Sequence, residues 1–496
     1  MGHTYYLAPV RLRVLGALLL VLVAGAPSTV AAGPYATNGI TRVSKGAPFA
    51  SCTADDVAAQ AGENYAATEV EPWIDVNPLN RANMVGLWQQ DRWSNGGARG
   101  LVAGVTTDGG ATWTSVVIPK GSRCSGGTYD RTTDPWLSFA SNGDLHAISL
   151  ALSSDSAVSA ILVNKSVDGG FTWSDPKTLI HDTNTATFND KQSITADPTD
   201  PSYVFAVWDR SRLASDRKGA RRTHEAAEEA ARSDIMFARS TNGGTTWEPA
   251  RAIYAPTGAD WSVGNQIVVS PNGTLVDITE FFRGSRTYVA VLRSTDKGVT
   301  WSAPAMIARQ YAVGVRDPDS GEPVRAGEGL PDIGVNPVTG RLYAVWSDSR
   351  FSGGRYNDVA MSTSGDDGLT WTKPRRVNRT PTTIGAVNRQ AFTPSVEATA
   401  RGTVGVTYYD FRKNTAGGGA RTDYWFAHCH SDCTNGANWS ETHVSGSFNI
   451  RRAPVARGYF LGDYQGLATA GKTFRALFSR TTTTDRANVY FTKLSP

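Results

Sequence analysis

Short apolar runs separated by polar turns recur along the chain from about residue 71 onward. Seven runs share one pattern, an apolar strand that ends in a turn: 71–78, 134–139, 191–198, 265–271, 330–337, 393–398 and 462–468. The run that follows reads M-V-G-L-W, Y-V-F-A-V-W, L-Y-A-V-W or V-G-V-T-Y-Y in the clearest copies. Such alternating runs, rich in β-branched and aromatic residues, predict β-strands. Seven first strands predict seven small sheets.

A second repeat, Ser/Thr-x-Asp/Asn-x-Gly-x-Thr-Trp, lies between these strands. Five copies are well formed and a sixth is degenerate: 106–113, 166–173, 240–247, 294–301, 364–371 and 432–439. Each predicts a tight turn, because the Asp or Asn side chain can bond nearby N–H groups and Gly tolerates positive φ. The Trp is predicted to fill the space between neighbouring sheets. A repeat of roughly 50–70 residues is typical of a propeller or an array.

The turn motif resembles the Asp box of the sialidase-like superfamily of BNR-repeat β-propellers, and the resemblance extends from about Glu71 to the C-terminus. It implies an all-β propeller. The seven first strands imply seven blades, with the six-bladed ring of sialidase catalytic domains as the alternative. The resemblance also implies an exo-acting glycoside hydrolase of sialidase type that acts on anionic sugars. In that superfamily the boxes are structural. The Arg-Ile-Pro motif of sialidases is absent here, and the equivalent strand reads E-P-W-I-D-V. Sialic-acid specificity therefore stays open.

The last predicted sheet lacks an outer strand. Because residues 41–52 resemble residues 115–124, we expect Thr41–Ser44 to pair with that sheet and close the ring of one domain, 33–496. The same alignment predicts a Cys52–Cys124 disulfide, and Cys429 and Cys433 are close enough for a second. The alternative for the second pair is a metal site that includes His428 and His430. No other metal and no cofactor is expected.

The N-terminus predicts a secretory signal over residues 1–32, since Arg11 and Arg13 precede an apolar run and small residues surround Ala32. We therefore expect a secreted, extracellular protein, with an uncleaved anchor as the alternative.

A formal charge of +4 gives no strong case for binding of nucleic acid. The expected partner is a glycan or glycoconjugate, and the expected state is a monomer with no membrane contact after cleavage. The charged, Ala-rich segment 211–233 predicts a helical insertion, either a solvated decoration or a flap over the active face.

Candidate site residues follow from two recurrent positions. Acid–arginine pairs end the second strands: Asp91-Arg92, Asp209-Arg210, Asp348 with Arg350, and Asp410 with Arg412. They predict either repeated structural ion pairs or a substrate-binding set formed by Arg92, Arg210, Arg350 and Arg412, because Arg binds carboxylates bidentately. The entrances to the first strands add Glu71, Asp134, Asp190, Asp332 and Asp463. Of these, Asp134 or Asp190 is the candidate acid, and Asp332 and Asp463 are candidate substrate ligands.

Tyr464 and Tyr409 are the candidate nucleophiles, because the resemblance implies a Tyr nucleophile activated by an acidic partner. Either could instead be a packed aromatic residue. Two other functions stay open: a non-catalytic carbohydrate- or protein-binding propeller, and a polysaccharide lyase for which His146 and His181 are the nearest histidines. A sialidase-type hydrolase needs a Tyr hydroxyl in contact with a carboxylate and a second acid in the same pocket. A binding module needs only aromatic platforms and a hydrogen-bonding rim.

Overall fold

A computed structural model describes residues 1–4, 34–55, 62–155, 157–212, 232–257 and 260–496 of the chain. Most of the predicted signal segment 1–32 and most of the predicted insertion 211–233 lie outside the described residues. Residues 34–496 group into one compact unit.

The described residues are all-β, which confirms the predicted fold class. The strands, in chain order, are β1 Ala36–Thr37, β2 Thr41–Arg42, β3 Asn64–Val76, β4 Met84–Trp93, β5 Ala98–Thr106, β6 Thr114–Val117, β7 Arg131–Phe139, β8 Leu145–Leu152, β9 Ser159–Ser166, β10 Lys177–Asp182, β11 Thr187–Ala196, β12 Val204–Arg212, β13 Arg232–Ser240, β14 Arg251–Tyr254, β15 Trp261–Val269, β16 Leu275–Arg283, β17 Arg286–Ser294, β18 Ala305–Arg309, β19 Val315–Arg316, β20 Pro323–Arg325, β21 Asp332–Val335, β22 Leu342–Asp348, β23 Asp358–Ser364, β24 Arg375–Arg376, β25 Ala391–Ala398, β26 Val404–Asp410, β27 Arg421–Cys429, β28 Trp439–Asn449, β29 Tyr459–Phe460, β30 Gly466–Ala470, β31 Thr473–Arg480 and β32 Asn488–Ser495. Short 3₁₀ helices are Arg123–Ser125, Gly327–Gly329, Arg350–Ser352, Ala386–Arg389, Gly436–Asn438 and Ile450–Arg452.

Most strands form antiparallel four-stranded units in chain order. Four of these are separate sheets: β11–β14, β15–β18, β21–β24 and β25–β28. Strands β3–β6 and β7–β10 join into one eight-stranded sheet through the pairing of Ala98 with Thr132. The C-terminal strands β30–β32 are extended by β1 and β2, with Thr41 opposite Phe491. A small sheet of β19, β20 and β29 belongs to none of these units.

Hydrophobic side chains fill the space between consecutive units. A tryptophan of the second strand is fully buried in three of them: Trp88, Trp208 and Trp346. Each indole N–H has an acceptor, namely Gln90 Oε1 at 3.1 Å, Asn189 Oδ1 at 2.9 Å and Asp348 Oδ2 at 2.7 Å. A large apolar ring with a satisfied polar edge is a stable occupant of such an interface.

The repeated turn is held by its own side chains. In the copy at 294–301, Asp296 accepts hydrogen bonds from Thr300 N at 2.9 Å and Thr300 Oγ1 at 2.6 Å. Ser294 Oγ donates to Asp296 at 2.8 Å and accepts from Gly298 N at 2.8 Å. The copy with Asn242 keeps the same acceptor geometry, since Thr246 N donates to Asn242 Oδ1 at 2.9 Å. A network formed within one turn explains why the motif can recur unchanged.

Both predicted disulfides are confirmed: Cys52–Cys124 and Cys429–Cys433 are bonded. The alternative metal site therefore has no free thiols to offer.

The described residues at both ends of the predicted insertion belong to strands. Strand β12 continues through Arg212, β13 begins at Arg232, and these two residues pair, as do Ser211 and Ser233. Residues 211–212 and 232–233 are thus strand, because the β12–β13 ladder extends farther than the charged composition suggests.

Among the described residues, no helix has the length and apolar character needed to cross a membrane.

We predict that Asp296→Asn reduces the acid sensitivity of folding. Hydrogen bonds, led by the Thr300 hydroxyl, lower the pKa of Asp296 from 3.8 to about 2. A lowered pKa stabilises the fold above the unfolded-state pKa, and this contribution is lost as pH falls from about 4 to about 2. Asn keeps an acceptor oxygen but does not titrate. Because the carboxyl group is largely exposed, the effect should stay below about 1 kcal/mol.

Urea unfolding at several pH values between about 5 and 2.5 measures this effect. The free energy of unfolding should fall less with acid in Asp296→Asn than in the unmodified protein. The matched control is Asn242→Asp, which should increase the acid sensitivity. Identical pH profiles for all three proteins would contradict the prediction.

Candidate functional site

A repeated bulge in the first strand of five units places one residue at the same point of each. The strand register breaks at each of these positions. The residues have positive φ: Glu71 (53°), Asp134 (52°), Lys191 (51°), Gly264 (73°) and Thr393 (50°). Positive φ is uncommon for residues other than Gly, and bulges re-aim side chains. Three charged residues therefore occupy corresponding positions, and Lys191 Nζ lies 3.6 Å from Asp134 Oδ2.

Two adjoining cavities lie at these bulges. The first encloses about 620 Å³ including its open mouth, and Asp134, Lys191 and Asp463 contribute to its wall. The second encloses about 890 Å³ on the same measure, and its wall includes Glu280, Arg325 and Arg457. Lys191, Leu330 and Asp463 line both cavities, so the two adjoin.

Asp463 is the centre of a buried ion cluster. Its carboxylate accepts hydrogen bonds from Arg325 Nε at 2.9 Å and from Arg325 Nη2 at 2.5 Å. Lys191 Nζ donates a third hydrogen bond, to Asp463 Oδ2 at 2.5 Å. The backbone N–H of Gly327 adds a fourth donor at 3.2 Å. Burial alone would raise the pKa of Asp463, but Arg325 and Lys191 outweigh it and hold the pKa well below its usual range. The carboxylate is therefore ionised.

Glu71 has the opposite electrostatic environment. It is 1% exposed, accepts a hydrogen bond from Gln89 Nε2, and accepts another from Asp463 N at 3.1 Å. Burial, with smaller contributions from Asp134 and Asp463, raises its pKa to about 8. Glu71 is thus protonated at neutral pH while Asp463 is charged. Carboxyl groups whose pKa values are shifted in opposite directions are typical of acid–base sites.

Each cavity has a pair of stacked aromatic rings. In the first, the rings of Trp73 and Trp136 are stacked with centroids 3.3 Å apart, and Tyr464 packs edge-on to Trp136 at 5.2 Å. In the second, Trp261 and Phe282 are stacked at 3.6 Å with 3° between their planes. Flat apolar surfaces beside a few polar groups are typical of small-molecule binding sites.

The structure brings together part of the predicted set. Asp134, Asp332, Asp463 and Tyr464 line the first cavity. Asp332 accepts Ser395 Oγ at 2.7 Å and Val396 N at 2.8 Å.

Asp190 and Tyr409 are placed differently. Asp190 is buried next to this wall and accepts Lys191 N at 2.9 Å. Tyr409 is not among the described lining residues of either cavity; its hydroxyl donates to Ser479 O at 2.6 Å inside a hydrophobic cluster. The Tyr409 hydroxyl thus has a structural partner.

None of the four predicted arginines lines the described walls of the two cavities. Arg210 pairs with Asp182 at 2.6 Å, Arg350 with Asp348 at 2.8 Å and Arg412 with Asp410 at 2.5 Å. Arg92 is buried, donates to Gln89 Oε1 at 3.1 Å, and lies 5.1 Å from the ring centroid of Phe460. For Arg350 and Arg412, the neighbour predicted from sequence is the ion-pair partner.

The cationic residues of the cavities are Lys191, Arg325 and Arg457, and sequence reasoning did not single them out as site residues. Lys191 lies in one copy of the first-strand pattern, and the corresponding positions of two other copies hold acidic residues. This difference could have indicated Lys191 as a site residue. Arg325 belongs to β20, outside the four-stranded units. No repeat marks it.

The contact between a Tyr hydroxyl and a carboxylate occurs elsewhere. Tyr408 donates to Glu441, and Arg412 Nη2 donates to the Tyr408 hydroxyl at 2.7 Å. Tyr408 is fully buried and is absent from the described walls of both cavities. Tyr464 instead donates to the backbone carbonyl of Pro135 at 2.9 Å. The geometry expected of a sialidase nucleophile is therefore not formed by either predicted Tyr.

His146 and His181, considered for a lyase, likewise contribute to neither wall within the described chain. Elsewhere in the described chain, the side chains of Cys52, Asp55 and Cys124 lie close enough together to be considered as metal ligands. The two sulfur atoms of this group are joined in a disulfide.

Comparison with known proteins gives distant structural similarity. No family model matches the chain, and no curated protein matches it. A protein of unknown function from Dyadobacter fermentans shares 11% identity at a TM-score of 0.46, over 92% of this chain and 99% of that chain. The NanB sialidase from Streptococcus pneumoniae (K499G mutant) has 11% identity and a TM-score of 0.45, over 93% and 98%. An α-L-arabinanase from Penicillium chrysogenum, in complex with arabinobiose, has 11% and 0.44, over 87% and 97%. These values assign neither a family nor an activity to this chain.

We predict that Asp463→Asn destabilises the fold by about 3–5 kcal/mol. Lys191 and Arg325 would lose the carboxylate that they share in a buried site. Urea unfolding at neutral pH measures the loss. The control is Asp175→Asn, which breaks the exposed Lys120–Asp175 pair and should cost less than about 1 kcal/mol. Similar small losses for both variants would show that the cluster is not needed for stability.

Proposed function

We propose that the protein is a secreted, glycan-active β-propeller that acts as an exo-acting glycoside hydrolase at the two central cavities. In this proposal the seven four-stranded units are seven blades, with β2 as the outer strand of the last. The pairing of β2 with β32 supports ring closure. So does a hydrophobic cluster in which Trp88 of the first unit packs with Leu477 and Phe491 of the last. The repeated turns then correspond to Asp boxes.

The single observation that supports hydrolysis is the composition of the cavity walls. They combine ionisable carboxyl groups, cationic side chains and stacked aromatic rings in adjoining spaces. Two carboxylates are the usual requirement for cleavage of a glycosidic bond. We assign Asp134 in the first cavity and Glu280 in the second as these two carboxylates, on either side of the bond to be cleaved.

Tyr464 is a positioning residue in this mechanism. Burial, and then the charges of Glu71 and Asp134, raise its pKa well above the usual range. A phenolate nucleophile is therefore unfavourable, and the hydroxyl is engaged with Pro135 O. The edge of the Tyr464 ring packs against Trp136 and helps to fix the aromatic floor.

An anionic sugar is the substrate class that the second cavity favours. Its wall has three cationic side chains, Lys191, Arg325 and Arg457, against two carboxylates, Glu280 and Asp463. Arg457 is the residue that we assign to the sugar carboxylate, because it lines this cavity and a guanidinium group can bind a carboxylate bidentately.

A non-catalytic carbohydrate-binding propeller is the second candidate. It is favoured by the engaged Tyr464 hydroxyl and by Asp463, whose oxygens are occupied by cations. Aromatic floors and polar rims suffice for binding without turnover.

We predict that the purified protein hydrolyses a fluorogenic anionic glycoside, tested as a sialoside and a glucuronide beside a neutral arabinofuranoside. Asp134→Asn should lower kcat by about 100-fold or more, since it removes a carboxyl group with an acid–base role. Tyr464→Phe should lower it by less than about tenfold, because only a positioning contact is lost.

Asp144→Asn is the control, because that carboxylate binds Lys165 away from the described cavity walls. It should leave turnover unchanged. Turnover abolished by Tyr464→Phe but not by Asp134→Asn would establish a Tyr mechanism instead. Absence of turnover with measurable glycan binding would favour the second candidate.

A further inference from the structure

Two buried glutamines of the cavity walls differ from the other buried glutamines, including Gln465 of the first cavity, in one respect. Six glutamines are buried in the described chain: Gln89, Gln90, Gln192, Gln310, Gln390 and Gln465. Four of them accept a hydrogen bond at the side-chain oxygen. The oxygens of Gln192 and Gln310 have no donor. Gln192 lines the first cavity and Gln310 lines the second.

Asn265 is a third buried amide of this kind. It lines the first cavity, it is 3% exposed, and its Oδ1 has no donor. Unpaired amide oxygens also occur at Asn164 and Asn488. The lack of a donor is therefore not sufficient by itself, and the position in a cavity wall is the second observation.

The orientation of the two glutamine amides is fixed by their NH₂ groups. Gln310 Nε2 donates to the carbonyl of Gly329 at 2.5 Å, and Gln192 Nε2 donates to the carbonyl of Asp134. Asn265 Nδ2 donates to Asp209 Oδ1 at 2.8 Å. A carbonyl only accepts, so turning either glutamine amide round would lose its bond and face two oxygens together. The acceptor oxygens of Gln192 and Gln310 are therefore held in place before any ligand binds.

A buried acceptor without a donor is costly, because no hydrogen bond compensates for the loss of its contact with water. Native proteins contain few such groups, and a site that retains several of them is suited to a ligand that supplies donors. Hydroxyl groups are donors of the right kind, and the stacked rings beside the amides offer an apolar platform in each cavity.

We propose that Gln192 and Asn265 in the first cavity and Gln310 in the second accept hydrogen bonds from the hydroxyl groups of one carbohydrate that spans both cavities. The inference rests on the proposed function in taking the ligand to be a glycan, but it does not require hydrolysis. Each cavity has its own aromatic platform, so the ligand contains at least two sugar residues. Gln192 and Asn265 contact the residue in the first cavity, and Gln310 contacts its neighbour.

Calorimetric titration with two probe pairs tests this assignment. The pairs are N-acetylneuraminic acid with a sialyl-galactose disaccharide, and glucuronic acid with a glucuronic-acid-terminated disaccharide. For the pair that binds, Gln192→Met should weaken disaccharide binding by about tenfold and leave monosaccharide binding unchanged, because the anionic sugar occupies the second cavity. Gln310→Met should weaken both to a similar degree.

The matched control is Gln390→Met, whose oxygen accepts Arg316 N outside the described cavity walls. It should change neither affinity. Asn265→Ala provides a second variant of the first cavity if Gln192→Met does not fold, and Gln310→Ala does the same for the second.

Three outcomes would overturn the inference: no disaccharide in the set binds, Gln192 variants affect monosaccharide and disaccharide equally, or neither affinity changes. Failure of the proposed hydrolysis is distinguishable from these, because it would appear as normal binding and normal variant effects without turnover.

Discussion

The ionic contacts of Asp463 are the constraint on which the site depends. The carboxylate joins Lys191 of β11 and Arg325 of β20, which lie 272 and 138 residues away in the chain. Breaking a buried pair by removing one partner leaves an uncompensated charge, so the three segments are bound to one arrangement. Since Lys191 and Asp463 line both cavities, this cluster also sets where the two cavities meet.

Several ionisable groups can be buried together here because some are neutral and the others are paired with opposite charges. Glu71 is held neutral at neutral pH by burial, whereas Asp463 is held ionised by two cations. The hydrogen bond from Asp463 N to Glu71 couples the two sites through the backbone. A proton gained or lost at one carboxyl group therefore changes the electrostatic environment of the other.

The repeats were sufficient to predict the strands, the all-β class and both disulfides, because each rests on a local pattern or a short alignment. They predicted only part of the cavity set, namely Asp134, Asp332, Asp463 and Tyr464. The acid–arginine pairs recur because Arg350 and Arg412 bind their own neighbouring acids, so periodicity selected structural pairs. Arg325 was missed because β20 lies outside the repeats. The orientation of Gln192 and Gln310 depends on carbonyls that only the folded chain presents.

The repeated bulge explains how one backbone can support different chemistry. It gives five units the same positive-φ position, and the side chain there is acidic in Glu71 and Asp134, basic in Lys191, absent in Gly264 and neutral in Thr393. The backbone that all five share specifies the fold, whereas the differences among their side chains specify the cavity. A function carried by one variable position of a repeat can change without loss of the fold, so the site residues, and not the repeats, decide the activity.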